Sequence, residues 1–430
     1  MGKFDDKTLL ILGSNVGATD IIKYANKEGA YTIVADYYPK EKSPAKKYAK
    51  KNILVSTADM EGLEKIVKED NVDGILAGIS EFNLIAAMKL SEKCKLPFFC
   101  TEKQWNLIER KDSFRMLCEK NKVPCPKTYY IGEYNTEINL EKIVYPVVVK
   151  PVDSCASMGV HICYTQEELQ NSIPDAFAQS DSKKIIIEEF IEGDEFTAHY
   201  TIVNGKAVLS CIDNRYPVSV NEGKVTTIPA ARIYPCLFVD EYITQVNESM
   251  LCLCNNLFLN NAVICIQGLY NKITNQFYIF EGGLRLAAEA PYRFIEKLNG
   301  NNALNLLVDQ VLSVDSEFNP EIEEPKLQGK CCGIVSFVSL GGVVGKIIGL
   351  ENAVKETPSV IEWEKRYDEG DETPQGNTLR QLMIRFVMIC NSREQMARDI
   401  EYLNNHITVL DVNGKNMVKK LEPQRIFDIK

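Results

Sequence analysis

The sequence predicts an α/β protein that passes into α+β structure further along the chain. Two observations predict it. Through residues 1–105, short apolar runs alternate with helical patterns, the signature of parallel strands joined by crossover helices. From Lys111 onward the strands come in pairs separated by turn residues, the sign of antiparallel hairpins. A length of 430 residues exceeds one core, and at ~150 residues per domain it implies about three units.

The elements follow in order. Lys7–Gly13 (KTLLILG) reads as a buried strand running into a turn, and Gly13-Ser14-Asn15-Val16-Gly17 opens a helix that ends near Gly29. A second strand runs from Tyr31 to Ala35 and stops at Asp36. Gly13-x-x-x-Gly17 lacks the G-x-G-x-x-G spacing of a dinucleotide fold, so a tight turn is expected there; Asp36 as a ribose acid is the alternative. A helix follows Ser56–Asp59, a strand spans Gly74–Ala77, and a helix spans about Asn83 to Lys93. Thr101-Glu102-Lys103-Gln104 is a capping box. Tyr145–Pro151 is a strand stopped by proline, and Thr165–Glu168 caps a helix. Thr197–Val203 and Lys206–Ser210 form a hairpin around Asn204-Gly205, and Ala262–Tyr270 with Phe277–Phe280 forms another. Beyond 331, Gly341-Gly342 lies between apolar strands, Asp368–Gly376 reads as an exposed loop, and Ser392–Gln395 caps a helix of about ten residues.

Composition excludes several classes. No run of ~18 apolar residues appears, so no transmembrane helix is expected. MGKFDDKTLL has neither an apolar h-region nor a cleavage site, so no signal peptide is expected. Fourteen scattered cysteines without a C-x-x-C fit free thiols in a reducing, cytoplasmic compartment, and three histidines make a structural zinc site improbable. A net charge of −10 argues against nucleic-acid binding, though lysines and backbone amides can still hold a small anion locally.

Three constellations carry chemistry. Lys150 ends a strand and precedes Asp153-Ser154-Cys155-Ala156-Ser157-Met158-Gly159, a loop small enough for its amides to approach an anion, with the lysine adding a point charge. Glu188-Glu189-Phe190-Ile191-Glu192-Gly193-Asp194-Glu195 ends another strand, where backbone can pair with an adenine edge and an acid can accept from ribose hydroxyls; solvent-facing acids are the alternative. Glu281-Gly282-Gly283-Leu284-Arg285 follows a third strand, placing a carboxylate suited to Mg²⁺ before an arginine suited to a planar anion. The glycines argue against a helical ion pair there.

The order of Lys111, Lys150, small-residue loop, E-E-F-I-x-G-x-E and strand-Glu-x-x-x-Arg resembles the ATP-grasp superfamily, in its carboxylate–amine (L-amino-acid ligase-like, carbamoyl-phosphate-synthase-like) branch. The resemblance spans nearly the whole chain. It implies a Rossmann-like pre-ATP-grasp domain over 1–105, an ATP-grasp domain over 106–330 with a mobile lid at about 125–205, and a C-terminal α+β subdomain over 331–430. It makes Lys111 and Lys150 phosphate ligands and Ser154, Ser157, Met158 and Gly159 part of the loop over the phosphates. Glu188, Glu189, Phe190 and Ile191 become the adenine hinge, mostly through backbone, and Glu195 the ribose acid. Glu281 becomes the ligand for Mg²⁺ (or Mn²⁺), and Arg285, with Lys150, the catalytic pair. Gln267 stands where the family carries a second metal-binding acid, and Gly283 where it frequently has asparagine, which puts a second metal in question. The implied reaction joins a small-molecule carboxylate to an amine through an acyl-phosphate, releasing ADP and phosphate. A kinase of the same fold and a nucleotide sensor without turnover stay open, and a homodimer is a compatible assembly.

Three further residues are candidates, and two are set aside. Glu81, at a strand-to-helix junction, faces the expected cleft, and Arg215 and Arg232 flank the segment after the second hairpin strand; all three are candidate substrate contacts. His199 is expected to pack within its strand rather than act as a base, and Lys346 is expected at the surface.

Overall fold

The structure is a computed structural model that describes residues 2–15, 17–134, 136–154, 157–220, 228–376 and 378–428. Its first unit is a four-stranded parallel sheet in the order Lys51–Leu54, Tyr31–Asp36, Thr8–Leu12, Gly74–Ala77. The two central strands are nearly continuous apolar runs because helices cover both faces: Leu9 to Leu12 and Ile33 to Ala35 are all fully buried. Helices Ala18–Lys27 and Met60–Glu69 supply crossovers, and Glu81–Cys94 follows the last strand. Asp36 accepts from Ser43 Oγ at 2.9 Å and Tyr38 N at 3.1 Å, so its carboxylate shapes the local turn. The capping box is present as expected, with Thr101 and Gln104 bonding reciprocally ahead of the helix Glu102–Glu109.

A second sheet is small and antiparallel, in the order Thr128–Glu133, Lys184–Glu189, Val147–Pro151, His161–Cys163. The helix Gln166–Ala178 covers it, N-capped by Thr165, and the pair has a core of its own around Val147, Val149, Leu169, Phe177, Ile185 and Ile187. A separate core is the physical requirement for a segment that moves as a body.

The third sheet is the frame of the molecule. It has nine strands, ordered Gln276–Gly283, Ala262–Asn271, Asp194–Val203, Lys206–Val218, Ile228–Tyr234, Cys331–Ser339, Leu382–Cys390 and Val360–Lys365, with Val418–Lys419 pairing beside Cys331–Ser339. Strands from both sides of residue 330 are therefore hydrogen-bonded in one sheet: Ala231 to Tyr234 pair antiparallel with Val335 to Cys332.

Three local expectations change. The strands around Gly341-Gly342 do not pair with each other; Gly342–Ile348 leaves for a separate three-stranded sheet. Within Asp368–Gly376, Glu372–Thr373 joins that sheet, and Thr373 is buried against Ser339 at 2.6 Å. The helix capped by Ser392 runs for 14 residues, Arg393–His406, because Met396, Ala397, Ile400 and Leu403 keep one apolar stripe in contact with the core. Among the described residues no helix is long and apolar enough to cross a membrane, and the described cysteines are free thiols.

Candidate active site

The small sheet lies over one end of the nine-stranded sheet, and a cavity of ≈ 200 Å³ opens between them. Lys111, Lys150, Ser154, Ser157, Glu188, Glu189, Phe190, Ile191 and Glu281, all singled out in the sequence, line it together. They come from four separate stretches of chain.

Lys150 enters from Val147–Pro151, a strand paired with Lys184–Glu189, which puts Val148 opposite Glu188. Its ammonium is buried and ion-paired with the Glu188 carboxylate, and it lies 5.5 Å from the Phe280 ring. Glu188 also meets Arg115 Nη2 at 2.5 Å, so one buried carboxylate sits between two buried cations. The Glu188 side chain thus ties Lys150 to Arg115, where the sequence reading expected it to act mostly through backbone. Lys111 opens the helix Lys111–Lys120; its Nζ donates to Ser154 O at 2.8 Å and lies 3.8 Å from Glu281 Oε1. The loop after Lys150 is braced by Ser154 Oγ donating to Met158 O at 3.0 Å. Met158 is exposed and Gly159 packs against Pro151 and Gln179, while Cys155 and Ala156 of the same loop lie outside the described residues.

Glu281 and Gln267 are direct register partners on the hairpin Ala262–Asn271 and Gln276–Gly283. The register shifts at Gln267/Gly268, so that Gly268 faces Ile279, Gln267 faces Glu281, and Phe280 is the extra residue. This bulge turns two consecutive side chains, Phe280 and Glu281, to the cavity, where an ordinary strand would send them to opposite faces. The two facing side-chain oxygens suit a hard divalent cation. Among the described residues no cluster of three or more His, Cys, Asp or Glu could hold a metal unaided, so the shell would need phosphate oxygens to complete it.

The remaining candidates lie outside the cavity lining. Arg285 Nη2 donates to Glu81 Oε1 at 3.2 Å, joining the first unit to the end of the hairpin. Arg215 pairs with Glu195 at 2.9 Å, so the expected ribose acid is engaged by an arginine. Arg232 lies between Asp213 at 3.0 Å and Glu289 at 2.9 Å, and also reaches Thr197 Oγ1 at 2.7 Å. Cross-strand partners share a face: Gln267 opposes Thr197, Thr197 opposes Asp213, and Arg215 opposes Arg232. One polar face of the large sheet therefore runs from the Gln267–Glu281 pair to the two arginines. Burial alone would raise the Glu289 carboxyl, but Arg232 and Arg385 overcome it and hold it down to about 2.

Two functional neighbours escape the sequence reading. Arg115 is four residues beyond Lys111 on one helix, a spacing that places both on the same face. Glu109 has no such signal: it ends the preceding helix and accepts from Leu284 N at 2.6 Å, and burial pushes its carboxyl up to about 8 against the pull of Arg285. Val148, Leu269 and Phe280 add an apolar wall to the cavity.

Residues 143–228 match the ATP-grasp domain family. The formate-dependent phosphoribosylglycinamide formyltransferase of Wolinella succinogenes is 29% identical over 208 residues, covering 47% of this chain and 52% of that protein. The chain thus spans about half the length of that relative. The L-amino acid ligase of Bacillus licheniformis superimposes with a TM-score of 0.75 at 19% identity, over 94% of this chain and 98% of that one. The biotin carboxylase domain of Hydrogenobacter thermophilus 2-oxoglutarate carboxylase, solved with MgADP, ADP and bicarbonate, gives 0.77 at 14% identity over 98% and 94%. The chain thus contains a stretch, residues 143–228, that matches the ATP-grasp domain family, and its fold is similar to these solved structures along almost its whole length.

Proposed function

We propose that this chain is an ATP-dependent carboxylate–amine ligase. The observation that carries the reading is the convergence of Lys111, Lys150, Ser154, Ser157 and Glu281 around one cavity, with Arg285 held by Glu81 outside its lining. ATP would seat its adenine between Val148 and Leu269 against the Glu189–Ile191 hinge, with its phosphates toward Lys111, Lys150, Ser154 and Ser157. Gln267 and Glu281 would hold Mg²⁺ or Mn²⁺, which when bound supplies charge neutralisation at the phosphates.

The residues then divide the work. Lys111 and Lys150 offset negative charge as the substrate carboxylate attacks the γ-phosphate in line. Arg285, held by Glu81, faces the acyl-phosphate and stabilises the oxyanion when the amine attacks. The small sheet, closing as a body, excludes the water that would hydrolyse the intermediate. Arg215 and Arg232, at the far end of the same polar face, are placed to meet an anionic group of the substrate by exchanging partners with Glu195 or Glu289. The similarity to an L-amino acid ligase supports a small carboxylate and a small amine as the substrate class.

The test is an ADP-release screen over amino acids and sugar acids, alone and with amines. A ligase yields ADP and free phosphate in an amine-dependent way. A phosphorylated acid accumulating without amine would make the chain a kinase, and ATP binding with no ADP across the panel would make it a sensor. Lys150→Ala should abolish substrate-dependent ADP release; near-normal turnover in that variant defeats the assignment.

A further inference from the structure

A single extended residue, Arg110, separates the end of the helix Glu102–Glu109 from Lys111 at the start of the next. Both helices press on the segment after Phe280. A Cβ at Gly282 would stand 3.0 Å from both Ile108 Cγ2 and Phe114 Cε2, so glycine lets the two helices come this close. At this approach two contacts join the same pair of segments. Lys111 Nζ lies 3.8 Å from Glu281 Oε1, and Glu109 Oε1 accepts from Leu284 N at 2.6 Å. Leu284 follows the last register pair of the hairpin, Cys265 with Gly283. Its amide therefore lies past the ladder, and the Glu109 carboxyl supplies its acceptor.

The next residue is Arg285. Its guanidinium has one side-chain partner among the described residues, Glu81 Oε1 at 3.2 Å, and Nη1 folds back on Leu286 O at 3.3 Å. Its Nε is buried and bonds to no acceptor. That leaves one donor over where the ligase reading puts a developing oxyanion. With so few side-chain contacts, the backbone fixes the approach of this arginine, and Glu109 holds the backbone on its N-terminal side. The same carboxyl ties Arg285 to the helix end that carries the phosphate lysine, Lys111.

We infer that Glu109 is a positioning residue: by holding Leu284 N it sets Arg285 against the acyl group activated beside Lys111. The inference rests on the ligase reading and adds the side chain that keeps its two steps in register. In the second step the amine nitrogen bonds to the acyl carbon. The bond from that carbon to the phosphate oxygen breaks, and the amine proton goes to the departing phosphate. A displaced Arg285 leaves the first step running and slows the second, so the intermediate is lost to water. Glu109 stands outside the cavity lining, so it acts through Arg285 and not on the substrate.

The full chain is supplied with MgATP and each of the common amino acids, alone and with methylamine, and ADP and amide are measured together. Glu109→Leu removes the acceptor at similar size. Glu109→Gln keeps it, because burial pushes the Glu109 carboxyl up to about 8 and leaves it neutral at pH 7. E109L should release ADP within about twofold of the parent, with an unchanged KM for MgATP, and form about tenfold less amide per ADP. E109Q should restore the parent's ratio. Phenylglyoxal, followed by peptide mapping, should label Arg285 faster in E109L than in E109Q or the parent. If E109L does not fold, E109A is read in its place. The parent's ratio in the variant without an acceptor, an equal loss of ADP and amide, or an E109Q no better than E109L overturns the proposal. If the parent releases no ADP with any acid, the ligase reading fails, while the Arg285 labelling rates still decide the role of Glu109.

Discussion

Glu188 shows how much one side chain can hold. Its carboxylate is the common partner of Arg115 and Lys150, all three buried. Removing one member of a buried ion group costs about 3–5 kcal/mol because the others stay desolvated and unpaired. Glu188→Gln should therefore lower the apparent Tm by several degrees and weaken ATP binding, as thermal melts and a nucleotide titration would show; unchanged values in both would remove Glu188 from the site's framework. Glu109 gives a prediction in pH. Burial raises its carboxyl from 4.5 to about 8, so the folded chain holds a proton that the unfolded chain releases. Its contribution to stability is complete below about pH 4.5 and is lost as pH rises through 8. Glu109→Gln stays neutral throughout and can still accept from Leu284 N. Its apparent Tm should match the parent's near pH 4.5 and exceed it at pH 9; parallel curves would show that Glu109 is not held protonated. Little of this was legible in the chain. Lys111 and Lys150 announce themselves through their neighbours, but the Arg115–Glu188 and Glu109–Leu284 contacts span 73 and 175 residues, and no local pattern encodes them.

At the scale of elements, what could be read was what local chemistry decides. The Asn204-Gly205 turn needs positive φ at both positions, and it has 50° and 80°, so the hairpin followed from two residues. Thr101 and Thr165 cap the helices they precede because a hydroxyl accepts an otherwise orphaned amide. The bulge at Phe280 was not legible, since an inserted residue leaves the apolar alternation looking ordinary while shifting which side chains meet. The hairpin also explains the glycine that stands where the family often has asparagine. A Cβ at Gly283 would come within 2.9 Å of Cys265 Sγ and 3.6 Å of Glu109 Oε1. Gly283→Asn should thus destabilise the hairpin rather than add a metal ligand, lowering the apparent Tm with no gain in Mn²⁺ affinity by electron paramagnetic resonance. Cys265→Ala in the same chain should recover part of the loss by opening that contact. A gain in Mn²⁺ binding from G283N alone would mean the site tolerates the side chain.

For the whole molecule, the sequence suggests three consecutive units, and the parallel sheet of the first is legible from its buried apolar runs. The relation between the later two is not, because strand pairing across a boundary depends on edges that composition does not mark. Ile228–Tyr234 has Lys206–Val218 on one side and Cys331–Ser339 on the other, so the sheet carrying Arg232 is completed by chain beyond 330. The apolar layer on it is shared in the same way: Ile228, Ala231 and Ile233 pack in one cluster with Val335, Phe337, Phe386, Met396 and Ile400. Arg385 reaches back to Ala288 O at 2.8 Å and helps hold Glu289 ionised. A chain ending at residue 330 would expose an unpaired strand edge beside an uncovered apolar face, the conditions for edge-to-edge aggregation. Truncation there should give insoluble or ATP-silent protein, although Lys111, Lys150, Glu188 and Glu281 all remain. Co-expressing residues 331–430 as a separate chain should restore solubility and nucleotide binding, since the missing strands can pair in trans. A soluble 1–330 fragment that binds ATP with the parent's affinity would show that the site needs only its own half of the sheet.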